Sequence, residues 1–270
     1  MAVNIFTYII IFIIGTLFGS FFTLSVYRLP IGQDIIHKHS YCPNCSHKLG
    51  VFDLIPIFSY IFLGGKCRYC GQKIRIRYLL LELLSGIVFV LFALSLNLDF
   101  NNLEQSKIIY FIFGILYIAS LFIIAGIDKE NISIQKEIMI FGIILEVVYM
   151  IYLYILEDFN IYRYVIYLSI MLILLIIDTA NLKKKGNNNY TIWILILSLF
   201  MINFSYEYVY ILTVIYSCLS IAIVTMVKKL KNKKKPYKKD EPKEIPIGFY
   251  MCICNIAVYI LTTAYITYLI

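Results

Sequence analysis

Two pairs of cysteines carry the most specific chemistry in this chain. Cys42-Pro43-Asn44-Cys45 and Cys67-Arg68-Tyr69-Cys70 are C-x-x-C knuckles separated by 21 residues. Four thiolates at such spacing can converge tetrahedrally on one Zn²⁺, although the gap falls just outside the usual zinc-ribbon range. His47 is close enough to Cys45 to compete as a ligand, but four cysteines already close a structural site. Acids within or at the ends of apolar runs suggest a second chemistry. Asp128 follows Leu121-Phe122-Ile123-Ile124-Ala125-Gly126-Ile127, Asp178 ends another such run, and Glu82 and Glu146 lie inside two more. Charged groups at membrane depth are costly, so each is a functional candidate by default. For Asp128 the plainer alternative is an interfacial residue that caps its span.

The elements that must position these groups are membrane helices. Of the 270 residues 61% are hydrophobic and 15% charged, and the mean hydropathy is +0.83. A soluble domain carries about 25% charged residues, so the main solvent here is lipid. Apolar runs of spanning length are expected at residues 3–27, 78–97, 108–127, 138–156, 161–178, 190–205, 208–227 and 246–270, the sixth being short. The chain therefore reads as an all-α polytopic membrane protein of about eight transmembrane helices with a small cytosolic zinc-knuckle loop. Residues 1–27 form the first helix, 28–77 the zinc-binding loop domain and 78–270 the transmembrane remainder, with a Lys-rich linker at 228–245. No basic residue precedes the first span and Arg28 follows it, a pattern that favours a retained helix over a cleaved signal peptide.

Charge sets the orientation. Of the 24 Lys and Arg, 22 fall on one side of this arrangement and 2 on the other. Basic loops face the cytosol, which places both termini outside and the 28–77 loop inside. The net charge of +8 then needs no nucleic acid to explain it, because basic loops against an anionic leaflet suffice. A cytosolic loop keeps its thiols reduced, which favours a structural zinc over disulfides. At about 50 residues the loop is too small for a good core, and bound zinc offsets that deficit. The run Leu54–Leu63 is apolar but short of a span; it either packs on the zinc site or lies in the membrane interface. Cys218, Cys252 and Cys254 lie in spans and read as small hydrophobes. No internal repeat is evident.

The order of motifs resembles the start of the type IV prepilin leader peptidases. Gly19-Ser20-Phe21, Val26-Tyr27-Arg28-Leu29-Pro30 and the first knuckle come first, followed by Leu54-Ile55-Pro56 with Ser59-Tyr60. Gly65-Lys66 then leads into the second knuckle with Gly71, and Arg77-Tyr78 precedes Glu82-Leu83-Leu84-Ser85-Gly86. The likeness is dense over residues 15–86. Downstream it thins to Asp128 with Glu130 and to Ile245-Pro246-Ile247-Gly248. The resemblance implies a bacterial inner-membrane enzyme that cuts leaders from prepilin or pseudopilin precursors at the cytosolic face. It also implies methylation of the new N-terminal amine with S-adenosylmethionine. The peptidase half would use two aspartates sharing a proton, one acting as acid and one as base. The first position is Asp128. The second belongs to a Gly-x-Gly-Asp motif about sixty residues on.

Here the chain departs from the pattern. That segment reads Gly186-Asn187-Asn188-Asn189, so Asn189 occupies the second aspartate's position, and Ile134-Gln135 replaces an Ile-Pro. An asparagine can orient water but cannot take its proton near neutral pH. Several readings stay open. The peptidase is lost and the chain is a methyltransferase or a pilus-assembly binding factor; Asp178 has taken the second role; Asn189 is a single inactivating change; or one aspartate suffices. The methyl donor's site and the oligomeric state are not assigned by the sequence.

Overall fold

The computed structural model describes residues 2–35, 37–99, 104–156, 161–185, 190–232 and 245–269. Among the described residues it is almost wholly helical: α1 Ala2–Arg28, α2 Phe58–Phe62, α3 Arg77–Ser95, α4 Gln105–Asn131, α5 Lys136–Ile155, α6 Ile161–Lys185, α7 Tyr190–Ser205, α8 Glu207–Asn232 and α9 Ile247–Leu269. Seven of these are long and apolar enough to cross a membrane. Helices suit that solvent because all their backbone hydrogen bonds are internal. The chain is thus an all-α, multi-pass membrane protein. The expected span at 190–205 is the exception in length. Its 16 residues reach about 24 Å, against a hydrocarbon core of about 30 Å.

Helix ends differ from the sequence reading in ways that matter for the acids. The third span runs on past Ile127 to Asn131, which places Asp128 inside α4 rather than at its tip. The fifth continues to Lys185, so Asp178 lies about two turns before the end of α6. Isolated left-handed residues stop or join helices: Asn97 (φ 46°) after α3, Ile132 (φ 50°) after α4, and Tyr206 (φ 70°), the sole residue between α7 and α8.

The chain divides into two compact units, Met1–Ile115 with Thr263–Ile270, and Leu116–Thr262. In the first, α1 and α3 pack closely through small residues. A methyl group at Gly15 would meet the Gly86 Cα at 2.7 Å, and one at Gly19 would meet the Glu82 Cα at 2.6 Å. The Ser85 hydroxyl donates to the Gly15 carbonyl at 2.7 Å. Gly15 and Gly19 form a G-x-x-x-G face, the usual device for close approach where lipid supplies no hydrophobic drive. In the second unit the Tyr117 ring stacks on Phe204 at 4.3 Å, and its hydroxyl donates to Asn255 Oδ1 at 2.6 Å. Asn255 donates onward to Thr213 at 3.1 Å, which joins α4, α8 and α9 through a fully buried polar contact.

Candidate functional site

The two cysteine pairs are held by hairpins of the same construction. In the first, Cys42 N–H donates to His47 O and Ser46 N–H to Cys42 O; in the second, Cys67 N–H donates to Gln72 O and Gly71 N–H to Cys67 O. Ser46 (φ 58°) and Gly71 (φ 69°) occupy the same left-handed position one residue after the second cysteine. This is an internal repeat that sequence identity does not reveal, because only the cysteines, a lysine and the turn geometry persist. The four sulfurs lie within 4.8 Å of one another, with Cys42 and Cys70 at 3.9 Å. A tetrahedral ion with bonds of about 2.3 Å needs its sulfurs about 3.8 Å apart, so the donor set fits one such ion. His47 takes no part; its ring stacks on Tyr69 at 3.6 Å and so ties the knuckles together.

The thiols differ in their readiness to bind. The Gln72 backbone amide and the Asn44 side chain draw the Cys70 thiol down to about 7. The His47 amide pulls Cys45 the same way, but lost solvation and the sulfurs of Cys42 and Cys70 outweigh it and push that thiol up to about 11. A thiolate stabilised beside a thiol that resists ionisation is the state a metal-free cluster adopts to limit mutual repulsion.

Three side chains fix this loop. Asp53 Oδ1 accepts from Arg68 Nε at 2.7 Å, and Oδ2 accepts from Tyr69 Oη and Gly50 N–H, each at 3.1 Å. Burial works against this carboxylate, but the Gly50 amide, Arg68 and Tyr69 prevail and hold it below its ordinary range. Tyr69, by donating to Asp53, is raised in turn. Arg28, 1% exposed, donates to the carbonyls of Asp34 (3.0 Å), Lys38 (2.7 Å) and His39 (2.9 Å), and so shapes the entry to the first knuckle. Glu82 of α3 accepts the Ile57 N–H at 2.8 Å. Ile57 has φ 64°, a strained setting for a β-branched residue, and this bond holds it there.

Asp128 is fully buried within the protein. Its Oδ2 accepts the Phe249 N–H at 2.8 Å at the first turn of α9, and the Tyr190 hydroxyl is also within bonding reach. Oδ1 has no partner. A Cβ at Gly248 would lie 3.1 Å from Oδ2, which accounts for the glycine of the Ile-Pro-Ile-Gly string. Asp178 is likewise buried with Oδ1 unpartnered, but among the described residues no contact joins it to Asp128. Asn189, with Gly186 and Asn188, lies outside the described residues. Glu146 is 1% exposed beside Asn203, but neither carboxyl oxygen has hydrogen-bond geometry with a partner. Among the described residues the structure gathers the four cysteines and records no contact between Asp128 and Asp178.

A shallow apolar groove beside the second knuckle, about 450 Å³, is lined by Phe52, Ile55, Phe58, Ser59, Phe62, Leu63 and Arg68. Its lining offers no acid to hold a ribose or an ammonium, and its one charge, Arg68, is already paired with Asp53.

A family profile described as the bacterial peptidase A24 N-terminal domain matches residues 13–96. A prepilin leader peptidase/N-methyltransferase of Myxococcus xanthus is 40% identical over 81 residues, 30% of this chain and 24% of that one. Proteins of the same name from Klebsiella pneumoniae and Bacillus subtilis are each 33% identical, over 127 and 132 residues; the matches cover 45% and 49% of this chain and 52% and 50% of theirs. The chain thus spans about half, or less, of the length of these relatives. No solved structure matches. Residues 13–96, which hold the four cysteines, Arg28 and Glu82, match the bacterial peptidase A24 N-terminal domain and are similar to the prepilin leader peptidase/N-methyltransferases.

Proposed function

We propose that this protein is a prepilin-processing enzyme of the bacterial inner membrane, cleaving leader peptides from type IV pilin-like precursors at the cytosolic face and methylating the new N-terminus. The observation that carries this reading is the A24 N-terminal domain, with its converged cysteine tetrad, in a chain that crosses the bilayer repeatedly. In this reading Cys42, Cys45, Cys67 and Cys70 hold a structural Zn²⁺ whose binding folds the cytosolic loop. Zinc there stabilises and does not react. The methylation half rests on kinship, since no described residue is assigned to the donor. In the peptidase half Asp128 would hold or accept a proton at its unpartnered Oδ1, while the α9 amide fixes Oδ2. Asp178 is the candidate second carboxyl, and Asn189 would orient water without taking its proton.

A second reading is favoured by one observation: Asp128 has no carboxyl partner among the described residues. In that case the peptidase is degenerate and the chain acts as a methyltransferase or a pilus-assembly binding factor. Purified protein mixed with a prepilin distinguishes the two. Cutting at the leader junction that is lost in Asp128→Ala and in Asp178→Ala supports the enzyme with a relocated pair. Uncut substrate with the unmutated protein, and cutting restored by Asn189→Asp, establishes the degenerate peptidase.

A further inference from the structure

The segment between the two knuckles carries the most exposed apolar side chains of the loop. Phe52 is 77% exposed, Val51 79% and Phe62 83%. On α2, Phe58, Ile61 and Phe62 stand at i, i+3 and i+4 and so share one helical face; all are exposed, and the Phe58 and Phe62 rings stack at 6.4 Å. The run lines a groove with Arg68 of the second knuckle and still leaves these side chains exposed.

We infer that Val51–Phe62 is a membrane-interface anchor, its apolar face inserted among the lipids of an anionic leaflet beside α3. Two observations choose lipid as the occupant. The first is continuity with the spanning surface. The Ile57 amide is bonded to Glu82, which lies in the second turn of the α3 span, so α2 is tied down at the level where that span begins. Ile76, Leu80, Leu84, Ile87 and Leu91 form an exposed apolar stripe along the same helix. The second is charge. Residues 28–77 contain eight Lys and Arg against two Asp, and Lys48, Lys66, Arg68, Lys73 and Arg75 are all exposed. An apolar face of aromatic residues flanked by basic side chains has the composition of an interfacial element on an acidic membrane. The anchor would hold the cysteine cluster against the bilayer, independently of which reaction the protein performs.

Tryptophan reporters test this in the full chain. Trp193 is the sole native tryptophan, so Phe62→Trp or Phe52→Trp adds one emitter whose signal follows by subtracting that of the unmutated protein. Both positions are exposed, and either substitution exchanges one aromatic ring for another. In nanodiscs containing phosphatidylglycerol, brominated acyl chains should quench the added emission by about half. Aqueous iodide should reach it several-fold less well than a Gln72→Trp reporter on the second hairpin. Emission that iodide reaches freely and brominated lipid does not quench would overturn the anchor. Shielding that develops only when a precursor peptide is added would also overturn it, and would assign the face to a polypeptide.

Discussion

Asp53 shows how single residues keep the loop in shape without touching a sulfur. Its carboxylate collects an arginine, a phenol and an amide, and its side chain is 5% exposed while Arg68 is 52% exposed. The half-exposed partner weakens the ion pair by solvent screening, so Asp53→Asn should cost about 1–2 kcal/mol rather than the upper range for buried charged bonds. The pH dependence has a defined sign. The folded state holds this carboxyl below its ordinary range, so its contribution is present above the unfolded value and is lost as pH falls through the lowered one. Loop stability, read by hydrogen exchange at residues 50–70, should therefore decline on acidification in the unmutated protein and less in Asp53→Asn. An equal decline in both would remove Asp53 from this role. The cysteines make a parallel case for metal. One zinc per chain is expected in purified protein, and Cys42→Ser should abolish it and loosen the same amides. A well-folded sample without metal would reduce the tetrad to a pair of empty turns.

At the scale of helices, Asp128 of α4 is bonded to the first turn of α9. The first turn of any helix leaves N–H groups without intrahelical partners, and in α9 an acid from α4 supplies the acceptor for Phe249. Removing it leaves a buried donor unpaired. Asp128→Ala should therefore lower the thermal stability by about 1–3 kcal/mol, whereas Asp128→Asn, which keeps an acceptor, should lose only a fraction of that. Gly248→Ala sets a methyl 3.1 Å from the same oxygen and should shift the carboxyl, lowering any cleavage activity more than stability. Differential scanning fluorimetry in detergent separates these outcomes; equal losses for Ala and Asn would argue against a capping role. None of this was readable from the chain alone. The partner of Asp128 is 121 residues away, and a span estimate that stopped at residue 127 made the acid look wet. The cysteine pairs, by contrast, were legible because their spacing is local, and the helices because hydropathy is. Arg28 and Glu82 stood inside motifs, but their roles depend on carbonyls and an amide brought in by folding.

Across the molecule the remaining question is how a 16-residue helix fits a topology that needs it to cross. Tyr206 alone separates α7 from α8, so the two form a hairpin whose open ends share one side of the bilayer whatever depth its tip reaches. Parity is thereby preserved, and the lysines closing α6 and α8 stay together. The tip itself has the chemistry of a boundary. Arg163 bonds Glu207 at 2.8 Å and the Ile202 carbonyl at 2.7 Å, and it lies over the rings of Tyr164 and Tyr206. Tyrosines around an arginine are the usual company of a helix end at headgroup level. Glu146 and Asn203 are buried beside each other without hydrogen-bond geometry to any partner, a costly arrangement in a spanning helix. We expect the α7–α8 hairpin to reach the outer headgroups, with α8 spanning about 39 Å to its lysine-bearing end. Alkaline phosphatase fused at Tyr206 should then be active, and green fluorescent protein fused after Asn232 should fluoresce. A silent phosphatase with the fluorescent fusion intact would mean the hairpin only dips into the membrane. Reversal of both signals would invert the molecule and place the basic ends outside.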